Sequence, residues 1–218
     1  MQVQFSGLTF LSQQLSATLR KTAIAAVAGT GLMLVATASH AVVVFSGPVS
    51  LVVPATTSGL YLNVVTGVSG IAPAAVPGWD VNPWSSTGLG FFNAATPVGG
   101  VYVMAAPGTA ANLPLGAMIN GASAYGSGSS ANTSQWVLNS SNNYFGFRFT
   151  NEAGGTTHYG FAQLAIGATI TARTIIGYAY ESTPLLGISV SVVPEPATYG
   201  LMAAGVAGLL LVRRRKQA

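Results

Sequence analysis

The chain has 218 residues, half of them hydrophobic, and only 6% are charged, against roughly 25% in an average soluble domain. This composition excludes a highly charged disordered chain, a coiled coil and a helical bundle rich in ion pairs. The formal net charge is +4, but the segment from Val42 to Val193 holds two arginines and three acids. It therefore lacks the basic groove that a nucleic-acid partner requires. The absence of cysteine excludes disulfides and thiolate metal sites.

The first 41 residues have the pattern of a secretory signal peptide. A basic pair at residues 20–21 precedes an uncharged apolar stretch at residues 22–36. Because the small residues Ser39 and Ala41 suit positions −3 and −1, we predict export through the Sec translocon and signal-peptidase cleavage between Ala41 and Val42. The alternative is an uncleaved membrane anchor. It is disfavoured because the apolar stretch is short and contains two glycines.

Residues 42–192 are predicted to form an all-β passenger domain. Short runs rich in Val, Ile, Tyr, Phe and Thr are separated by turns that contain Gly and Pro, and no stretch keeps a helical period over three turns. This pattern predicts an antiparallel β-sandwich that is jelly-roll-like. Strands are expected at residues 42–45, 49–53, 60–65, 90–93, 101–105, 135–138, 144–150, 158–166, 170–180 and 186–193.

The clearest strands alternate with a period of two. Three phenylalanines lie on one side of the run 144–150, and the run 170–180 alternates in the same way. Each of these strands is expected to bury one face. Residues 151–155 predict a hairpin loop, and residues 123–134, rich in Ser, Gly, Ala and Asn, predict a flexible loop.

The loop expected at residues 79–84 combines aromatic rings with polar side chains. If exposed, Trp79 and Trp84 would form a stacking platform for sugar rings, with Asp80 as a polar partner; if buried, the tryptophans would be core anchors. Trp79, Asp80 and Trp84 are therefore the candidate sugar-binding residues. Asp80 and Asn82 fall short of the roughly six to eight oxygen ligands of Ca²⁺, so no metal site is predicted.

Catalytic patterns are scarce in the passenger. His158 is its only histidine, and no Gly-x-Ser-x-Gly segment occurs. A two-carboxylate glycosidase would have to use two of Asp80, Glu152 and Glu181, placed within about 10 Å of each other in one cleft. We therefore predict a non-enzymatic domain without a cofactor, and a polysaccharide hydrolase is the weaker alternative.

The few charges of the passenger also suggest ion pairs. Arg148 could pair with Glu181, and Arg173 with Glu181 or Glu152. A structural role at the end of a sheet is the favoured interpretation for these residues.

The C-terminal segment, residues 193–218, contains three elements in order. The motif Pro194, Glu195 and Pro196 comes first, and an uncharged segment at residues 197–212 follows. As a helix this segment would be about 24 Å long, which is sufficient for a transmembrane helix if the bilayer thins locally. The positive-inside rule places the end of the chain in the cytoplasm. A basic anchor closes the chain and comprises Arg213, Arg214, Arg215 and Lys216.

This tripartite tail, together with the N-terminal signal, resembles the PEP-CTERM sorting signal of exported proteins in Gram-negative bacteria that make extracellular polysaccharide. The resemblance covers residues 193–218. It implies that an exosortase, an integral-membrane processing enzyme, recognises the tail and cuts near the Pro-Glu-Pro motif. It further implies a single-pass precursor in the inner membrane, and a processed protein at the cell surface or in the biofilm matrix. Extracellular polysaccharide is then an expected partner.

Overall fold

Antiparallel β-strands dominate the computed structural model, which describes residues 42–130 and 135–193. A short 3₁₀ helix, Pro73–Ala75, interrupts them. The all-β prediction is therefore confirmed. The strands in the described ranges are β1 Val43–Phe45, β2 Leu51–Val53, β3 Tyr61–Leu62, β4 Ser69–Gly70, β5 Val81–Trp84, β6 Leu89–Asn93, β7 Tyr102–Ala106, β8 Thr109–Ala110, β9 Met118–Ile119, β10 Tyr125–Gly126, β11 Gly128–Ser130, β12 Ser140–Asn151, β13 Thr156–Ile166, β14 Arg173–Glu181 and β15 Ile188–Ser189.

The main sheet has eight strands in the order β1–β14–β13–β12–β7–β10, with β2 also paired to β14 and β8 to β7. Its centre consists of β12, β13 and β14, with 12, 11 and 9 residues. The predicted hairpin between β12 and β13 is confirmed, because Asn151 pairs with Thr156 across the turn. Gly155 in this turn has a φ of +62°, a conformation that glycine adopts without steric cost.

A second sheet has five strands in the order β11–β6–β5–β3–β4. Buried side chains of both sheets belong to one hydrophobic cluster, which we call the shared core. At its centre, the ring centroid of Phe91 on β6 lies 4.9 Å from that of Tyr102 and 5.0 Å from that of Phe145. The predicted alternation of β12 is confirmed, since Phe145, Phe147 and Phe149 all belong to the shared core.

The opposite face of the main sheet is covered by the pair β9–β15 and the segment that follows it. Ile119, Ile188 and Val193 form a second buried cluster with Tyr144 and Phe161 of the main sheet. The expectation of one buried face is therefore wrong at the centre of this sheet. The physical reason is that the second face is also apolar, and its burial is favourable by about 25 cal/mol per Å².

The run predicted at residues 170–180 forms β14, which begins at Arg173. Its register against β13 shifts once and leaves Ile176 without a cross-strand partner. Such a bulge reverses the alternation of side chains, so Ile175 and Tyr178 both belong to the shared core. A strict period of two is therefore wrong for this strand.

Two predictions for the middle of the chain are also wrong. Residues 135–138 are irregular, and Trp136 anchors them in the shared core. Residues 123–130 of the predicted flexible loop contain β10 and β11, and its last four residues, 131–134, lie outside the described residues. Gly126 on β10 lies close to the backbone of Gly100, because a Cβ on Gly100 would overlap the Gly126 backbone. A composition that suggests flexibility thus reflects tight strand pairing.

Candidate functional site

Three aromatic rings meet on the second sheet, on the side away from the shared core. Phe91 is buried, whereas its neighbour Phe92 is 56% exposed, because successive strand side chains point to opposite faces. The ring of Trp79 packs edge-on against Tyr61 at 5.0 Å and stacks with Phe92 at 6.2 Å, both measured between centroids. We call Tyr61, Trp79 and Phe92 the aromatic platform.

Strand β5 brings the members of the platform together. The segment 79–84 was expected to be a loop, but Val81–Trp84 pairs with β6 along its length. Asn82 is the cross-strand partner of Phe92, so Trp79, three residues earlier, lies within reach of the Phe92 ring. The sequence pattern predicts Trp79 as a sugar-binding residue but does not point to Tyr61 or Phe92. The apolar run at residues 89–93 contains a usable signal, because the two adjacent phenylalanines of a strand there must point to opposite faces of the sheet.

Trp84 has a different environment from Trp79. Its cross-strand partner is Gly90, and a Cβ on Gly90 would lie 2.9 Å from the Trp84 Nε1 atom. The indole ring therefore covers this glycine, as aromatic residues often do beside glycines in strands. Trp84 is only half-buried, so both a structural and a sugar-binding role are compatible with its position.

The two polar residues of this segment lie beneath the surface. Asp80 and Asn82 are 3% and 2% exposed. The Asn82 side-chain amide donates to the carbonyl groups of Ser58 and Leu60, at 2.9 and 3.0 Å. Asn82 therefore ties the chain before β3 to β5. The prediction that Asp80 contacts a sugar does not agree with this burial.

The carboxyl group of Asp80 is electrostatically unusual. Its Oδ2 atom accepts a hydrogen bond from the Val64 backbone N–H at 2.8 Å. Burial raises the pKa of Asp80 to about 7, against the lowering effect of this hydrogen bond, and the charge of Glu152 raises it further. A large fraction of Asp80 is therefore protonated at neutral pH in the folded protein.

The hydroxyl group of Tyr102 connects the two sheets. It accepts a hydrogen bond from the Asn82 backbone N–H at 2.6 Å and donates to the Phe92 carbonyl at 3.2 Å. Since Asn82 and Phe92 are cross-strand partners, the hydroxyl bridges β5 and β6 next to the platform residue Phe92. Burial raises the pKa of Tyr102 well above its usual value, so the hydroxyl stays neutral.

Arg148 binds backbone groups at the edge of the main sheet. Its Nε atom donates to the Gly100 carbonyl at 2.8 Å and its Nη2 atom to the Val98 carbonyl at 3.0 Å. Its guanidinium carbon lies 4.4 Å from the centroid of the Tyr125 ring. The predicted ion pair with Glu181 is wrong, because these contacts use the guanidinium instead.

Arg173 is also held by backbone carbonyls, those of Ser85 and Gly88. It is 2% exposed, and burial lowers its pKa to about 10. The ion pairs predicted with Glu152 and Glu181 are wrong. The side chain instead attaches the turn after β5 to the main sheet.

The remaining titratable candidate, His158, has a structural environment. Its two ring nitrogens lie 2.9 Å from the Thr156 hydroxyl and 2.9 Å from the Glu181 carbonyl. Its ring stacks on Phe149 with centroids 5.5 Å apart. Within residues 42–130 and 135–193, no group of three or more His, Cys, Asp or Glu side chains has a geometry suited to a metal ion.

The described chain ends in a buried position. Val190 and Val193 belong to the second cluster, on the outer face of the main sheet. A Cβ on Gly177 would lie 2.9 Å from the Val193 Cβ, so the glycine leaves the space that Val193 fills. The passenger is therefore packed up to the residue that precedes Pro194.

The segment that begins at the end of the packed passenger matches a known sequence family. The sequence pattern of the PEP-CTERM protein-sorting motif matches residues 192–216. This chain carries a PEP-CTERM sorting motif. The resemblance seen in the sequence is thus confirmed, and the motif marks an exported protein with a membrane-anchored precursor that is targeted to an exosortase. No curated protein and no solved structure matches the chain.

Most residues of the two sorting signals lie outside the described part of the chain. These are the signal peptide up to Ala41, the motif Pro194–Pro196, the segment 197–212 and the basic anchor at residues 213–216. The predictions for them rest on the sequence. Within the described ranges, no helix has the length and apolar character needed to span a bilayer.

Proposed function

We propose that this PEP-CTERM protein is a non-enzymatic protein of the cell surface or the extracellular matrix, associated with extracellular polysaccharide and biofilm. The Sec translocon exports it, and signal peptidase removes residues 1–41. The segment 197–212 holds the precursor in the inner membrane until an exosortase processes it. The sorting motif at residues 192–216 is the observation that carries this proposal.

The positions of the two described ends support a precursor attached to one membrane at both ends. Val42 lies beside Glu181, and Val193 lies over Gly177. These two residues of β14 are four positions apart, which is about 13 Å along a strand. The two described ends of the passenger therefore lie against the same strand, which supports the proposal that both signals occupy one bilayer during export.

We interpret the passenger itself as a β-sandwich that is jelly-roll-like, with the shared core between its two larger sheets. A non-enzymatic role is supported by the placement of the acids. Asp80 and Glu181 are 3% and 1% exposed, which leaves Glu152 as the exposed acid of the described chain. A hydrolase would need two carboxyl groups open to one cleft.

The sorting role is tested by replacing Pro194, Glu195 and Pro196 together with alanine. The two prolines restrict the backbone to extended geometry, which a processing enzyme needs in its substrate. We expect the full-length precursor to accumulate in the membrane fraction, whereas the wild-type chain is shortened. The measurement is an immunoblot of membrane and extracellular fractions in cells that contain an exosortase.

A matched control changes prolines outside the motif. Pro107 and Pro184 are exposed, so the double variant Pro107→Ala, Pro184→Ala should be processed like the wild type. Normal shortening of the motif variant would contradict the proposal. Equal accumulation of the motif variant and the control would show that the effect comes from folding and not from the motif.

A carbohydrate-binding module is the second candidate function, and the aromatic platform is the observation that favours it. Phe92 is 56% exposed and Trp79 stacks beside it. No charged side chain of the described chain belongs to the platform, and the nearest acid in sequence, Asp80, is buried. An uncharged aromatic surface suits the apolar faces of neutral sugar rings.

We expect Trp79→Ala and Phe92→Ala each to weaken binding to purified matrix polysaccharide by at least about fivefold, because each removes a stacking surface. The measurement is an affinity titration by isothermal calorimetry or co-sedimentation. Val98→Ala is the control, since Val98 is 89% exposed and lies outside the platform. Equal affinity in all four proteins would exclude a role for the platform.

A further inference from the structure

A buried carboxylate lies beside the first described residue of the chain. Glu181, the last residue of β14, is 1% exposed. Its Oε1 atom accepts hydrogen bonds from the backbone N–H groups of Val42 at 3.1 Å and Thr183 at 2.8 Å. The same oxygen thus joins the start of the passenger to the turn after β14.

No side-chain cation among the described residues bonds to this carboxylate. Arg148 and Arg173 direct their guanidinium groups to backbone carbonyls. His158 meets Glu181 at its backbone carbonyl and not at its carboxylate. Within the described residues, the hydrogen-bond donors to this carboxylate are therefore the backbone N–H groups of Val42 and Thr183.

Val42 is held in place by contacts that do not depend on its own charge. Val43 and Val44 pair with Glu181 and Tyr180 in the main sheet. The Ser182 backbone N–H donates to the Val42 carbonyl at 3.0 Å. The nitrogen of Val42 is therefore positioned beside Oε1 by the strand register.

Val42 is also the residue that follows the predicted signal-peptidase cut. Hydrolysis of the bond between Ala41 and Val42 consumes one water molecule and leaves a carboxylate on Ala41 and an amine on Val42. A free α-amino group is mostly protonated at neutral pH, since its usual pKa is about 7.7–8.0. Cleavage would thus convert an amide N–H donor beside Glu181 into an ammonium group with three donors.

We propose that Glu181, whose carboxylate is oriented by the Thr183 backbone N–H, is the binding site for the new N-terminus, and that the α-ammonium of Val42 pairs with this carboxylate once the signal peptide is removed. The pair neutralises the buried carboxylate and stabilises the mature domain over its precursor. This inference rests on the proposed function for one point, the position of the cut. The site itself follows from the geometry of the folded passenger.

A two-by-two comparison tests the pair in the chain as it exists after export, residues 42–218. One pair of proteins begins at Val42 and carries Glu181 or Glu181→Gln. The other pair retains Ala41. In these proteins the nitrogen of Val42 is an amide that still donates to Glu181, and the α-ammonium charge lies on Ala41 instead. Each protein is released from a cleavable fusion that leaves no extra residue, and its midpoint of thermal unfolding is measured in detergent at pH 6.5.

We expect Glu181→Gln to lower the midpoint by at least about 4 °C more in the chain that begins at Val42 than in the chain that retains Ala41. The glutamine keeps an acceptor for both N–H groups, so the difference reports the charge pair. Equal shifts in the two backgrounds would overturn the proposal. If the glutamine variants do not fold, the two Glu181 proteins are compared directly, and equal midpoints would overturn it as well.

The mass of the exported protein separates this inference from the proposed function. An exported chain that begins at Val42 supports both the N-terminus site and the proposed function. A chain that begins elsewhere, with strong coupling still present in the two-by-two comparison, would contradict the predicted cut but not the site. Absence of export would contradict the proposed function alone, since the unfolding experiment needs no export.

Discussion

Phe91→Ala is expected to lower the free energy of unfolding by about 3–5 kcal/mol, the usual cost of removing a buried aromatic ring. Phe91 is 2% exposed, and its ring meets those of Tyr102, Phe145 and Trp136 at centroid distances of 4.9, 5.0 and 5.7 Å. Three of these four rings come from outside the second sheet. The cavity would therefore weaken the contact between the two larger sheets and not only one strand.

The next residue provides a matched control for this prediction. Phe92→Ala removes the same side chain from the same strand, but Phe92 is 56% exposed, so its loss should cost less than about 1 kcal/mol. Urea unfolding followed by tryptophan fluorescence measures both variants. Similar losses at the two positions would contradict the assignment of Phe91 to the core and Phe92 to the surface. A stable Phe92→Ala protein would also validate its use in sugar-binding experiments.

The long central strands were predictable because their signal is local. β12 carries three phenylalanines at a spacing of two, and the turn after Asn151 contains two adjacent glycines. Both features belong to a single stretch of chain. The hairpin between β12 and β13 therefore needs no information about distant residues.

The second buried face of the main sheet was not predictable in this way. It depends on Val193, which packs over Gly177 from a distant part of the chain. In β12, Gly146 leaves room for Ile119 on this face, since a Cβ there would lie 2.8 Å from the Ile119 Cδ1 atom. Glycine weakens a strand prediction, although here it is required by close packing. Sequence periodicity cannot show which distant side chain fills the space.

The candidate sites also differ in whether their sequence signal is local or depends on distant residues. The sorting motif is a linear signal, so Pro194, Glu195 and Pro196 identify it without a fold. The aromatic platform depends on the pairing of β5 with β6, which brings Phe92 to Trp79. The burial of Asp80 depends on Val64, whose N–H group holds its carboxyl group inside. Sequence alone showed an acid between two tryptophans and left open whether this segment is exposed or buried.

The stability of the passenger is expected to fall by about 3 kcal/mol between pH 4 and pH 7 through Asp80 alone. The pKa of this group rises from 3.8 to about 7 on folding, and each tenfold change in proton affinity corresponds to about 1.4 kcal/mol. Between these values the folded protein binds a proton that the unfolded chain has released. The protonation of Asp80 therefore stabilises the folded state most below pH 4, and this stabilisation is lost as the pH rises to 7.

Asp80→Asn should remove this pH dependence while keeping an oxygen acceptor for the Val64 N–H group. Urea unfolding at several pH values, with the difference between variant and wild type plotted against pH, cancels the titration of all other groups. We expect the difference to grow in favour of the variant from pH 4 to pH 7 and then to level off. Parallel curves would contradict a buried, protonated Asp80.

Glu152→Gln refines this test because it removes the neighbouring charge that raises the pKa of Asp80. Burial is the largest cause of the raised pKa, and the Glu152 charge is a smaller one. This variant should therefore lower the upper end of the pH range in which stability depends on Asp80, but the dependence should remain. The other titratable groups near Asp80 are Tyr102 and Tyr180, whose pKa values are also raised by burial, and they remain neutral throughout this range. If Glu152→Gln abolished the pH dependence, charge repulsion would outweigh burial at Asp80. The carboxyl group would then lie in a wetter environment than the contact with Val64 indicates.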